Sequence, residues 1–196
     1  MTSMPNLRWE VTNALVAEGF RRGRRVHRKP IDEEWSLLVD TGVIGKESDI
    51  APAAGLRSEQ VERLLRELCA LPSGGDPSGT VGANVGYIVD GEYRSWLRLP
   101  GGSLVTVEEV VGTIHAALDR LARYANLNRL DAAWAELPDT RLDPSTPYRR
   151  VIVRFLLDDR PGVDRELAAA QDAYCFRDDE ICADFQAFRS RLLARL

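Results

Sequence analysis

Apolar residues recur every four positions at Leu7, Val11 and Leu15, with Ala14 and Val16 beside them. That spacing predicts an amphipathic helix over about 6–18, ended by Gly19. Phe20-Arg21-Arg22-Gly23 then turns the chain into a charged strand at Arg24–Lys29, punctuated by Pro30-Ile31-Asp32. A second strand at Trp35–Ile44 pairs with it as an antiparallel hairpin. Residues 45–57 read as a polar connection containing Pro and Gly. Ser58 is placed to cap a helix carrying Val61, Leu64, Leu65, Leu68 and Leu71 on one face, stopped by Pro72. A flexible loop at Ser73–Gly79 precedes a second predicted hairpin. Its strands are Thr80–Val89 and Tyr93–Leu99, and its turn is Asp90-Gly91, where glycine supplies the positive φ of a tight turn. Pro100-Gly101-Gly102 closes this part of the chain.

From there the apolar period is helical. Thr106 and Glu109 form a capping-box pair ahead of Val110, Val111, Ile114, Ala117, Leu118 and Leu121, which predicts a helix over 107–125. Leu127, Leu130, Trp134 and Leu137 mark a shorter partner ended by Pro138. Ser145-Thr146-Pro147 starts a helix at Tyr148–Asp158, despite the strand propensity of Val151-Ile152-Val153. Pro161 opens another through Tyr174, and Asp178 caps the last, where Ile181, Phe185, Phe188 and Leu192 share a face. The expected fold is α+β: an antiparallel sheet of about four strands packed on helices over 1–104, then a helical region over 105–196 packed with it as one unit. No internal repeat of solenoid period is present.

Composition narrows the class. The 196 residues suffice for a sizeable core without staples. No apolar run exceeds about four residues, against the ~20 of a membrane span, and Met1-Thr2-Ser3-Met4-Pro5 lacks the features of a signal peptide. Three cysteines cannot build a disulfide framework, so reduced thiols and a cytoplasmic setting are expected. The net charge of −4 is divided unevenly. Residues 1–30 hold seven basic and two acidic side chains, while residues 158–184 hold nine acidic and three basic. Only Lys29 and Lys46 among the 26 basic residues are lysines, a bias that a GC-rich coding sequence accounts for.

Catalytic material is sparse. His27 lies among five arginines that disfavour its charged form, which suits a surface position, and His115 lies one residue off the apolar stripe of its helix. Cys69, Cys175 and Cys182 have no zinc-like spacing and read as small core residues. Asp158-Asp159 and Asp178-Asp179-Glu180 lack a calcium-loop pattern and suit solvated helix ends. The glycines of Gly79–Gly86 match no phosphate-binding motif and enter a strand, where they allow close backbone packing. No catalytic residue, cofactor or metal is expected. Trp35, Trp96 and Tyr93 are core residues if they face the helices and interface anchors if they face outward.

Two charged regions are therefore the candidate contact surfaces. One is the basic run with Arg21, Arg22, Arg24 and Arg25, which also serves to blunt an edge strand. The other is the acidic set Asp158, Asp159, Asp178, Asp179 and Glu180, favoured slightly because nuclease-type partners present basic surfaces. The order of an N-terminal helix, Gly19-Phe20-Arg21-Arg22-Gly23-Arg24, two strands and Val81-Gly82-Ala83-Asn84-Val85-Gly86 resembles a bacterial domain-of-unknown-function family over about the first 135 residues. Members of that family occur among proteins assigned to toxin immunity, so the resemblance implies a non-catalytic factor that binds a toxin encoded nearby. Two alternatives stand beside it. One is a small enzyme or ligand-binding protein with His115 or Glu109 converging on a pocket between sheet and helices. The other is a nucleic-acid-associated protein using the basic hairpin, disfavoured by the net acidity, and no membrane partner is expected.

Overall fold

Asn6 opens the first element, its side chain accepting a hydrogen bond from the Arg8 N–H at 2.9 Å. In the computed structural model, which describes residues 6–42, 49–70, 79–97, 105–137, 144–175 and 179–196, helix α1 spans Leu7–Ala17 and buries Leu7, Val11 and Leu15 as its period predicts. Strands β1 (Val26–Pro30) and β2 (Trp35–Asp40) form the expected hairpin, with Val26 opposite Asp40 and Pro30 opposite Ser36. Helix accounts for 58% of the described residues and strand for 15%, and every strand pair among them is antiparallel, so the fold is α+β.

The second half of the sheet departs from the sequence pattern. Residues 45–57 are not a plain connection: β3 (Asp49–Ile50) lies within them, and β4 (Ala53–Ser58) takes up their end and runs on to Ser58. Strand β4 is a central strand, between β2 and β5 (Val81–Asn84), in the order β1-β2-β4-β5. Its sequence, Ala-Ala-Gly-Leu-Arg-Ser, has one large apolar residue and no alternation, because nearly every position is buried. Small residues serve the packing here. Gly55 lies opposite Gly82 of β5, and a Cβ on Gly82 would stand 2.9 Å from the Gly55 Cα and 2.7 Å from the Ala54 carbonyl oxygen. The close backbone approach read from the glycines is real at this pair.

The second hairpin does not form. The chain leaves β5 at Asn84 and turns into helix α3 (Val85–Val89), and β6 (Trp96–Leu97) pairs with β3 in a separate two-stranded sheet. The Asp90-Gly91 turn is present, but it ends a helix. The Asp90 and Gly91 N–H groups both donate to the Gly86 carbonyl, and Gly91 takes φ +84°. Asn84 is the cause. Its side-chain oxygen accepts from the Gly86 N–H at 3.0 Å, capping α3, and from the Arg94 N–H at 2.9 Å. Its amide nitrogen donates to the carbonyls of Pro52 at 3.2 Å and Arg94 at 2.8 Å. One buried amide thus fixes where the strand stops and where the returning chain lies.

The chain folds into two compact units. The first comprises residues 1–58 and 76–141, the second residues 59–75 and 142–196. The expected boundary at 104/105 falls inside the first unit, because helix α4 (Val107–Ala122) belongs with α1, α3 and the sheet. Thr106 caps α4 through the Glu109 N–H at 3.1 Å, and Val110, Ile114, Ala117, Leu118 and Leu121 are buried. A short 3-10 turn, Leu127–Arg129, leads into α5 (Leu130–Glu136). Trp35 and Trp96 are core, while Tyr93 is exposed.

The second unit consists of helices α2 (Glu59–Leu68), α6 (Thr146–Leu156), α7 (Arg160–Tyr174) and α8 (Asp179–Leu193). Its core includes Val61, Leu65, Val151, Ile152 and Val153, together with an aromatic group. Tyr148 stacks on Tyr174 at 5.1 Å and meets Phe188 edge-on at 4.8 Å. Phe185, Phe188 and Leu192 are buried as expected, but Ile181 is exposed. Arg149 and Glu62 form a buried ion pair, with contacts of 2.7 and 3.2 Å. Cys175 and Cys182 are joined in a disulfide, which corrects the expectation of reduced thiols packed as small core residues. The seven-residue spacing runs from the end of α7 to the first turn of α8, placing the two Cα atoms 4.5 Å apart. Among the described residues no helix is long and apolar enough to cross a membrane. Pro72, residues 73–78, Pro100–Gly102, Pro138 and the capping role of Asp178 lie outside the described residues.

Candidate functional site

The basic run reaches the surface where α1 meets the turn into β1. Alternation along β1 sends His27 inward, where it is 1% exposed and its Nε2 lies 3.3 Å from the Thr12 hydroxyl and 3.4 Å from that of Thr41. The expectation of a solvated His27 is therefore overturned. Both hydroxyls meet the same ring nitrogen, so the buried imidazole is held by α1 on one side and by the residue after β2 on the other. Above His27 and Thr12 opens a cleft of about 280 Å3, also lined by Arg8, Trp9, Arg22 and Arg24.

The arginines of the run divide by what they touch. Arg25 pairs with Asp40 at 2.9 Å. Arg21 bridges Arg28 through the backbone, and its side chain is exposed. Arg28 donates to the Ser36 hydroxyl at 3.0 Å, and Lys29 lies over the Phe20 ring. Arg22 and Arg24 are exposed and make no ion pair or side-chain hydrogen bond among the described residues. Arg8 donates Nε to the Thr41 hydroxyl at 3.4 Å and Nη2 toward the Arg24 carbonyl at 3.5 Å, which fixes its guanidinium against the cleft without neutralising it. Three cations thus surround one concavity with no carboxylate among its lining residues. Trp9, 58% exposed, stands at its edge.

Arg8 and Trp9 are absent from the sequence-predicted site. A signal for them exists: Trp9 lies off the Leu7–Val11–Leu15 stripe, so α1 carries a large aromatic side chain away from the core.

The acidic candidates do not gather. Asp158 takes a positive φ of 54° in the turn after α6 and is exposed. Asp159 caps α7, accepting from the Gly162 N–H at 2.9 Å, and pairs with Arg154 at 3.5 Å. Asp179 and Glu180 begin α8, beyond the other end of α7; that helix has 15 residues and so is about 22 Å long. Glu180 is exposed, and Asp178 and the Asp179 side chain lie outside the described residues. Among the described residues, Asp158 and Asp159 thus lie at one end of α7 and Glu180 beyond the other.

The residues proposed for a pocket between sheet and helices have separate roles. His115 is exposed and meets Glu18 at 2.5 Å, and Glu109 accepts the Trp96 indole N–H at 3.1 Å. Burial pushes the Cys69 thiol up to about 11, so it is a protonated thiol at neutral pH and a poor nucleophile. Among the described residues no group of three His, Cys, Asp or Glu side chains is placed to hold a metal. Comparison with family models, curated proteins and solved structures yields no match for this chain.

Proposed function

We propose that the chain is a non-catalytic protein-binding protein whose α1–β1 cleft receives an acidic segment of its partner. The observation that carries this reading is the set of Arg8, Arg22 and Arg24 around one cleft with no ion-pair partner in it, beside the exposed Trp9. Guanidinium forks bind carboxylates in two-point fashion, and Trp and Arg are the residues most often decisive at protein interfaces. The resemblance of the N-terminal helix, the Gly19–Arg24 turn and the Val81–Gly86 segment to a bacterial family with immunity proteins among its members supports a more specific form. In that form the partner is a toxin encoded nearby, and binding neutralises it.

The test is co-expression with the product of the adjacent gene. The two proteins co-purify, and Arg22→Glu with Arg24→Glu weakens the complex by at least about tenfold, since a hydrogen bond to a charged group contributes roughly 1.5–3 kcal/mol. Arg25→Ala, whose partner Asp40 is on the chain itself, leaves affinity nearly unchanged. Unchanged affinity in the double variant removes the cleft from the reading. Tight binding of a DNA duplex that falls steeply with salt replaces it with a nucleic-acid role.

A cytoplasmic setting belongs to the same reading.

A further inference from the structure

Helix α4 ends at Ala122, and the chain reverses through the Leu127–Arg129 turn into α5. Beside this reversal lies a second cavity, open to solvent and of about 590 Å3, lined by Arg120, Arg123, Tyr124, Arg129, Ala132 and Glu136. Small-molecule sites occupy roughly 300–1,000 Å3, and this space is far larger than an inorganic ion needs. Its lining carries three guanidinium groups and one carboxylate.

The groups at one side of the cavity are committed. Glu136 accepts the Tyr124 hydroxyl and pairs with Arg120 at 3.5 Å, and Arg120 also donates to the Ile88 carbonyl at 2.6 Å. Burial, and after it the hydrogen bond to Glu136, raise the Tyr124 pKa, so its hydroxyl stays a donor. The other side is open. Arg129 uses Nη1 to hold the backbone carbonyl of Arg123 at 3.0 Å, and both side chains line the cavity. The remaining donors of Arg129 and the whole Arg123 guanidinium make no hydrogen bond among the described residues.

We propose that this cavity binds a small organic phosphate monoester, with Arg123 and Arg129 holding the phosphate and the organic group lying against Ala132 and Tyr124. Two guanidinium forks lining one cavity match a group with three terminal oxygens, where a carboxylate, with two oxygens, would occupy only one fork. The excess of two positive charges in the lining matches a dianion.

Calorimetric titration of the full chain with phenyl phosphate, inorganic phosphate and phenol tests the assignment. Phenyl phosphate binds, inorganic phosphate binds more weakly, and phenol does not bind. Arg123→Ala with Arg129→Ala weakens phenyl phosphate by at least about tenfold, the loss of one charge-assisted hydrogen bond. Both side chains are exposed, so circular dichroism of the variant is unchanged. Ala132→Trp, which fills the cavity from an exposed position, blocks binding independently. Arg22→Glu with Arg24→Glu leaves it intact, so failure here and failure of the α1–β1 cleft are separate results. The proposal is overturned if phenyl phosphate gives no heat up to about 10 mM, if either cavity variant binds as well as the native chain, or if inorganic phosphate binds as tightly as the monoester.

Discussion

Glu62→Ala lowers the unfolding free energy by about 3–5 kcal/mol, a large part of the stability of a domain this size. Glu62 and Arg149 are 2% and 1% exposed, and the carboxylate takes two hydrogen bonds from the guanidinium at 2.7 and 3.2 Å. Removing the carboxylate deprives a buried guanidinium, which cannot lose its proton, of its counter-ion. The cost is therefore the stranding of a charge, and it exceeds the worth of the pair itself. A double variant separates the two. Glu62→Leu with Arg149→Met removes both charges and keeps the volume, and its stability returns to within about 1–2 kcal/mol of the native chain. Denaturant unfolding of the three proteins checks this, and a double variant as weak as Glu62→Ala shows that the charges themselves are needed.

Asn84→Ala costs about 3–4 kcal/mol by the same measurement, because four hydrogen bonds of a buried amide disappear together and the freed Gly86 N–H and Pro52 carbonyl belong to buried residues. Asn84→Asp is the informative companion. It keeps the oxygen that caps α3 and receives the Arg94 N–H, but it loses both donors and sets a carboxylate against the Pro52 and Arg94 carbonyls. We expect it to be no more stable than the alanine variant near pH 7 and to recover as the pH falls and the carboxyl becomes a donor. If Asn84→Asp unfolds like the native chain at neutral pH, the two donated hydrogen bonds contribute nothing.

How much of this was legible in the sequence depended on whether an element carries its own periodicity. Helices α1, α4, α6 and α7 and the β1–β2 hairpin do, through Leu7–Val11–Leu15, the Val110–Leu121 stripe, Pro at the helix starts and the Trp35–Val39 run. Strand β4 does not. Ala53, Ala54 and Gly55 have low strand propensity, and only their burial between two other strands makes them a strand. The Asp-Gly turn misled because a glycine with positive φ ends helices as readily as it joins strands; the deciding residue was Asn84, whose four partners lie in Pro52, Gly86 and Arg94. The site was half legible. Arg22 and Arg24 were visible as charge, whereas the selection of them over Arg25 depended on Asp40, which lies 15 residues further along the chain. The dispersal of the acidic residues followed from the length of α7, and the Cys175–Cys182 bond from where α8 begins.

The order in which the chain visits its two units governs how the protein can be made and cut. Helix α2 leaves the ribosome before the first unit has received β5 and α4, and Glu62 precedes Arg149 by 87 residues. A nascent chain therefore carries a half-built second unit through the synthesis of most of the first, with a carboxylate that has yet to meet its counter-ion. Truncation at any single point within residues 59–141 leaves one unit or both without a segment. Fragments ending near residue 104 are thus poor subjects for binding studies.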